Sequence, residues 1–364
     1  MTAENLNRLL RRLTPQRVRL RREWREREKL RKDGPPPGLE VETLDQVCRD
    51  RFGGQLKRVF HVPISGWKIS SAFRVWVYLT RGKPRTLVFK DADYDPELFP
   101  AGRLLPARIG IPEYAFYRQA RGEILHYVPE LYLLEEVSPG QRYRYLMEDL
   151  LHEYRPLKGR DVAAATSELL KVHQILQRWA SDSDLDSWIR YDRSFYEGLL
   201  DYVEDALQEF QPQMLGEETA KVRAEWSTIS RVCLSEEMIQ RQSLGPIHGD
   251  TGAANMFVHR KPPFRMKLVD WEWSGFGVPQ ADLVHVLKRN PAIEPEAMRI
   301  LAERDGRLSL REHTELYHWT QLWKGLLDVG LFARQFTAVG RTSLSESAEK
   351  SAHMVTHGYR YCAI

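Results

Sequence analysis

Hydrophobic residues along the chain have strand-like composition before about residue 150 and helical spacing after it. Val41, Leu44, Val47 and Phe52 share one helical face, and Gly53-Gly54 ends that helix. Lys57–Ile64, Ala72–Thr80 and Arg85–Lys90 are rich in Val, Phe, Trp and Tyr, and Gly66 and Gly82-Lys83-Pro84 separate them, which predicts strands and turns. Glu113–Leu125 reads as a helix, and Leu131–Val137 and Tyr143–Glu148 as two more strands turned at Pro139-Gly140. Residues 39–149 therefore predict a five-stranded antiparallel sheet with one inserted helix. Helical spacing then takes over in Asp161–Trp179, Ser194–Phe210, Glu217–Cys233, Ala281–Arg289, Glu294–Arg304 and Leu310–Phe336. Two short strands, Asn255–His259 and Lys267–Asp270, flank a hairpin at Lys261-Pro262-Pro263. A strand-rich lobe joined to a larger, mainly helical lobe over residues 150–364 is an α+β, bilobal arrangement.

The first 38 residues stand apart. Thr14-Pro15 reads as an N-cap with proline at the first helical position, and Arg17–Lys32 as a heavily charged helix. Asp33-Gly34-Pro35-Pro36-Pro37-Gly38 reads as a stiff linker. Residues 1–33 hold twelve Lys/Arg against five Asp/Glu, a net of +7, while the whole chain carries +4; the rest is therefore 4 − 7 = −3. Within that rest, residues 151–240 hold seventeen acids against ten bases. The basic balance belongs to the extension, so a nucleic-acid-binding body is not indicated. A negative body concentrates cations instead. No run of eighteen apolar residues marks a membrane span, and no apolar h-region marks a secretory signal. The three cysteines are far apart and not in metal-ligand spacing. Together these features predict a reducing, cytoplasmic location.

Chemistry concentrates in His248-Gly249-Asp250-Thr251-Gly252-Ala253-Ala254-Asn255, followed by Asp270-Trp271-Glu272 at the end of an apolar strand. Phosphoryl transfer needs a carboxylate beside the attacking hydroxyl and oxygen ligands for the magnesium that bridges the phosphates. An Asp and an Asn five positions apart on a tight loop supply base and ligand from one rigid piece. A second Asp on the next hairpin closes on the metal from the other side. Asp250, Asn255 and Asp270 fit these three roles.

The His-Gly-Asp loop with Asn five residues after its Asp, the Asp-Trp-Glu segment and the downstream Asp282-Leu283 pair resemble the aminoglycoside phosphotransferase and choline kinase-like family, relatives of the protein kinases. The resemblance runs over about residues 55–335. It implies a protein-kinase-like fold and transfer of the γ-phosphate of ATP or GTP, with Mg, to an alcohol. It implies Lys90 as the lysine on the α- and β-phosphates, with Glu113 as its partner. It places the nucleotide hinge at Met147-Glu148-Asp149-Leu150, with the backbone of Glu148 and Leu150 on the adenine edge. It places the phosphate-covering loop at Ser65–Ser71, where a single Gly leaves Ser70 and Ser71 to do the work. It makes Asp282 a buttress of the catalytic loop, with His248 as a packed anchor. His173, on the apolar face of Leu169, Leu170 and Leu176, reads as a satisfied core histidine.

The acceptor is less marked. The acidic stretch at 151–240 points to a cationic small molecule, with an aminoglycoside or amino sugar ahead of a choline-type or sugar acceptor. Trp319 and Trp323, four apart on one helical face, read either as core or as a cation-binding aromatic pair of the kind choline kinases use. Glu272 orients either the substrate or a backbone turn. A protein kinase is disfavoured because the loop lacks His-Arg-Asp and no Ala-Pro-Glu follows. A non-catalytic nucleotide-binding protein is disfavoured because Lys90, Glu113, Asp250, Asn255 and Asp270 are all present.

Overall fold

The computed structural model describes residues 31–64, 70–93, 111–180, 187–209, 216–339 and 342–362. The charged helix expected over Arg17–Lys32 lies outside these residues except for its last two. Contacts divide the chain into two compact units.

The first unit comprises the described residues up to Asp93 together with residues 130–137 and 143–149. Its six-stranded sheet has the order β1-β2-β3-β4-β6-β5, with β1 Lys32–Asp33, β2 Leu56–Ile64, β3 Ser70–Leu79, β4 Arg85–Asp93, β5 Leu131–Ser138 and β6 Arg142–Glu148. The pairs along β1 to β4 are antiparallel. The sequence pattern predicts five strands. The sixth, β1, comes from the segment read as helix end and linker: Lys32 pairs with His61 and Asp33 with Phe60, occupying an edge that β2 would otherwise leave open. His61 Nδ1 donates to the Gly34 carbonyl at 2.9 Å, so the linker is docked on the sheet.

Helix α1, Val41–Phe52, lays Leu44, Val47 and Cys48 on Val59, Val75, Val77, Leu87, Phe89 and Leu146. Each apolar side chain buried in this way contributes about 1.5–3 kcal/mol. Gly53 ends the helix in the left-handed region, at φ 69°, as its position after the last apolar residue predicts.

The second unit holds helices α2 Ile111–Gln119, α3 Val162–Ala180, α4 Arg193–Glu209, α5 Glu217–Ala224, α6 Trp226–Cys233, α7 Glu236–Arg241, α8 Gln280–Leu287, α9 Glu294–Asp305, α10 Leu310–Val339 and α11 Thr342–Cys362. The helix expected over Glu113–Leu125 stops at Gln119, and a 3-10 stretch, Gly122–Tyr127, begins at a residue with positive φ, Gly122. By its contacts α2 belongs with this helical unit and not with the sheet. The single helix expected over Glu217–Cys233 is two, broken at Glu225.

Two small sheets carry the loops of interest. One has the order β11-β10-β7, with β7 Tyr154–Pro156, β10 Met256–His259 and β11 Met266–Leu268. The other has the order β8-β12-β9, with β8 Ile189–Arg190, β9 Gly245–Ile247 and β12 Gly275–Gly277. Helices α10 and α11 pack closely: a Cβ on Gly325 would lie 2.9 Å from a Val355 methyl, and one on Gly358 only 2.5 Å from the His318 carbonyl. Among the described residues no helix is long and apolar enough to cross a membrane.

Candidate active site

The loop His248–Asn255 runs from β9 to β10, so both of its ends are fixed by ladder hydrogen bonds. One carboxylate organises it from beneath. Asp282, fully buried in the first turn of α8, accepts the His248 N–H on Oδ2 and the Gly249 N–H on Oδ1, each at 2.8 Å. His173 Nε2, on α3, hydrogen-bonds the same Oδ2 at 2.8 Å. Thr251 Oγ1 donates to the Asp282 carbonyl. Burial pushes the Asp282 carboxyl up, but the hydrogen bonds from His173 and the His248 N–H outweigh it and hold the group below its ordinary value. It is therefore an anion at neutral pH.

His248 is also fully buried. Its Nδ1 accepts the Asp250 N–H at 3.2 Å, which leaves Nε2–H to donate to the Val269 carbonyl at 3.0 Å. Burial lowers its pKa against the pull of Asp282, Asp250 and Asp270, so the ring is neutral. Gly249 sits at φ 83°, and a Cβ there would lie 1.9 Å from the Trp273 carbonyl oxygen. No other residue fits.

Asp250 and Asn255 face each other across the loop. Asn255 Nδ2 donates to Asp250 Oδ2 at 2.9 Å and to the Asp250 carbonyl at 3.1 Å. With its amide hydrogens given to Asp250, Asn255 keeps Oδ1 to offer a cation. The Val269 N–H donates to the Asn255 carbonyl at 3.0 Å, which lays the Asp270 segment beside the loop.

Asp270 has φ 68° and ψ 65°, left-handed values that cost a non-glycine residue about 1–2 kcal/mol. The 3-10 turn Trp271–Trp273 that follows is locked by Trp271, whose ring stacks on Phe116 of α2 with centroids 3.8 Å apart. That stack brings α2 to the Asp270 segment. Glu113, Asp270 and Glu272 each offer a carboxylate oxygen within 4.8 Å of the others. Glu113, expected from the sequence only as a partner of Lys90, thus lies in a cluster of three acids. Three carboxylates this close form a set of hard oxygen donors of the kind that suits magnesium.

In the sheet unit, Lys90 lies inside β4, opposite Ala72, and is buried, with Nζ 5.8 Å from the Tyr145 ring centroid. Ser70 pairs with Ala92 and Ser71 with Asp91, at the start of β3. The rest of the loop expected to cover phosphates, residues 65–69, lies outside the described residues. The Glu148 N–H donates to the Glu130 carbonyl at 2.9 Å. Leu150 is buried at the head of a 3-10 turn.

Trp319 and Trp323 have no exposed surface. Trp319 donates to the Val232 carbonyl at 3.2 Å, and Trp323 is packed among Tyr191, Phe195 and Tyr196. The cation near the Trp323 face is the chain's own Lys324, 5.6 Å from the ring centroid. Of the two readings open in the sequence, the core reading matches this burial. Sequence reasoning missed Lys324, whose Nζ donates to the Gly249 carbonyl. The available signal was a lone lysine in the run Trp323-Lys324-Gly325-Leu326-Leu327.

Several solved structures share this fold. A choline kinase, LicA, from Streptococcus pneumoniae superposes with a TM-score of 0.54 at 11% identity, covering 86% of this chain and 98% of that one. An aminoglycoside phosphotransferase assigned by similarity, from Ralstonia eutropha, gives 0.54 at 15% identity, covering 89% and 98%. A mutant aminoglycoside 2'-phosphotransferase-IIIa bound to GDP gives 0.53 at 13% identity, covering 88% and 97%. No curated protein sequence matches the chain significantly. The sequence pattern of the phosphotransferase enzyme family matches residues 68–322, which take in the loop, its buttress and the acidic cluster, and the chain belongs to that family.

Proposed function

We propose that this phosphotransferase moves the γ-phosphoryl group of ATP or GTP onto a hydroxyl of a cationic small molecule, an aminoglycoside, amino sugar or related amino alcohol. The observation that carries the reading is the placement of Asp250 and Asn255 on one buttressed loop, beside a segment that holds Asp270 with Glu272 and Glu113. Asp250 takes the proton of the acceptor hydroxyl as its oxygen bonds to the γ-phosphorus. The bond from that phosphorus to the β–γ bridging oxygen breaks, and nucleoside diphosphate leaves. Asn255 Oδ1 and Asp270, with Glu272 and Glu113 close by, would hold magnesium, which when bound neutralises the charge of the phosphates. Lys90 binds the α- and β-phosphates; Ser70 and Ser71 lie on the adjoining strand end. The Glu148 carbonyl and the Leu150 N–H take the adenine or guanine edge.

The cationic acceptor rests on charge. The chain beyond residue 33 is net negative, and residues 151–240 carry seventeen acids. Two neighbours of the same fold are named for choline and for aminoglycosides, both amines. Because Trp319 and Trp323 are enclosed, we favour an amine held by carboxylates over one caged by these rings. A nucleotide-consumption screen with ATP and GTP over aminoglycosides, amino sugars, choline and neutral sugars tests this. An amine should be the best acceptor, and its KM should rise with salt as exposed attractions are screened over about 10 Å at 0.1 M. A neutral or anionic best acceptor with a salt-insensitive KM would refute the cationic reading.

A further inference from the structure

Helix α10 carries one lysine within a wholly apolar run, and that lysine is buried. An ammonium removed from water is unfavourable unless a specific partner receives it. Lys324 Nζ donates to the carbonyl of Gly249, the residue between His248 and Asp250. That carbonyl belongs to the Gly249–Asp250 peptide. The N–H of the same peptide, on Asp250, is taken by His248 Nδ1 at 3.2 Å. The preceding peptide is held by Asp282 through the Gly249 N–H at 2.8 Å. Both ends of the peptide that bears Asp250 are therefore fixed, one by a neutral ring and one by a cation from a distant helix. Gly249 itself sits at φ 83°, with Trp273 and Tyr191 where a Cβ would be.

His285 on α8 is pushed down to about 3, by burial first and then by Lys324, and is neutral. Asp328, one turn further along α10, is pushed up to about 6 by burial, against the pull of Lys324. Ser351 on α11 donates to Asp328 at 3.4 Å, and His285 Nε2 lies 4.0 Å from the same carboxylate.

We propose that Lys324 is a positioning residue of the transfer step: its ammonium locks the Gly249–Asp250 peptide so that the Asp250 carboxylate meets the acceptor hydroxyl. The inference rests on the function proposed above and assigns a role to a residue which that function does not use. It does not place Lys324 on the nucleotide or the acceptor. Removing the clamp therefore lowers turnover without weakening the binding of either substrate.

The test compares wild type, Lys324→Met, Lys324→Gln and Lys324→Arg, with the acceptor found in the screen. Lys324→Met keeps the length of the side chain and removes the donor. It should fold, bind nucleotide within threefold of wild type by calorimetry, and keep both KM values within about threefold. Its kcat should fall on the order of 10- to 100-fold, the usual consequence of a reacting group displaced by about 1 Å. Lys324→Arg, which keeps a cationic donor, should recover part of that loss, and Lys324→Gln less. Lys324→Met turnover within threefold of wild type overturns the proposal. So does a loss of nucleotide binding in step with kcat, or the failure of both neutral variants to fold, since either makes Lys324 a folding residue. Asp250→Asn, run alongside, separates the two claims. If it is inactive while Lys324→Met is not, only the role of Lys324 fails; if wild type transfers to no acceptor, the proposed function fails and this inference with it.

Discussion

Replacing Asp282 by alanine would remove the acceptor of three hydrogen bonds at once. The His248 and Gly249 N–H groups and His173 Nε2 all approach its two oxygens at 2.8 Å, and the carboxylate has no exposed surface. A hydrogen bond to a charged group is worth about 1.5–3 kcal/mol. The three share one carboxylate, so their losses do not add. Breaking a buried charged network from one side costs about 3–5 kcal/mol, and that is the expected loss here. With a denaturant slope of roughly 3 kcal/mol/M for a chain of this size, the urea midpoint should fall by about 1–1.7 M.

Asn at this position should cost nearly as much, because its amide would set N–H against one of the backbone N–H donors. Tryptophan fluorescence during urea unfolding reads the effect, since Trp271, Trp319 and Trp323 all lie in this buried unit. The pH dependence has a definite sign. A carboxyl held below its ordinary 3.8 stabilises the fold above that value and loses the contribution as pH falls through its folded-state value. The gap between wild type and Asp282→Ala should therefore close in acid, below about pH 4. A loss under 1 kcal/mol at neutral pH, with transfer intact, would refute the buttress.

Asp328→Asn tests the opposite sign: the wild-type carboxyl is raised from 3.8 to about 6, so its stabilising contribution is present below the ordinary value and lost as pH rises through about 6. Relative to wild type the variant should gain stability between about pH 4 and pH 7, and an equal difference at both pH values would contradict the burial argument. Asp270→Ala should abolish the magnesium-dependent part of nucleotide binding by calorimetry, and alanine at this left-handed position should also cost some stability. Unchanged magnesium dependence would put the metal elsewhere.

How far the sequence disclosed this architecture differs between its parts. The strands β2 to β6 were readable because Val, Phe, Trp and Tyr cluster there between Gly and Pro breaks. Strand β1 was not, since two charged residues beside a Pro-rich run carry no apolar signal and are held by an edge that exists only once the sheet has formed. The two- and three-residue strands β7, β8, β9 and β12 are too short for any period to show, yet they position the catalytic loop. Helix α11 follows the long α10 and is amphipathic, but Thr, Ser, Glu and Lys dilute its apolar stripe. The spacing of Asp250, Asn255, Asp270 and Asp282 was legible because it is local chemistry on one hairpin and the helix after it. Glu113 in the acidic cluster and Lys324 on Gly249 were not. Each arrives from far along the chain, Glu113 through the Phe116–Trp271 stack and Lys324 through the packing of α10.

Phosphoryl transfer by wild type and Asp250→Asn, measured side by side with the best acceptor and saturating nucleotide and magnesium, tests the central claim most directly. Asn keeps the shape of the side chain and removes the base, while Asn255 and the acidic cluster remain. The account predicts nucleotide binding close to wild type and turnover lowered by about 100-fold or more. Turnover near the wild-type rate would show that another group takes the hydroxyl proton, and the assignment of Asp250 would be wrong.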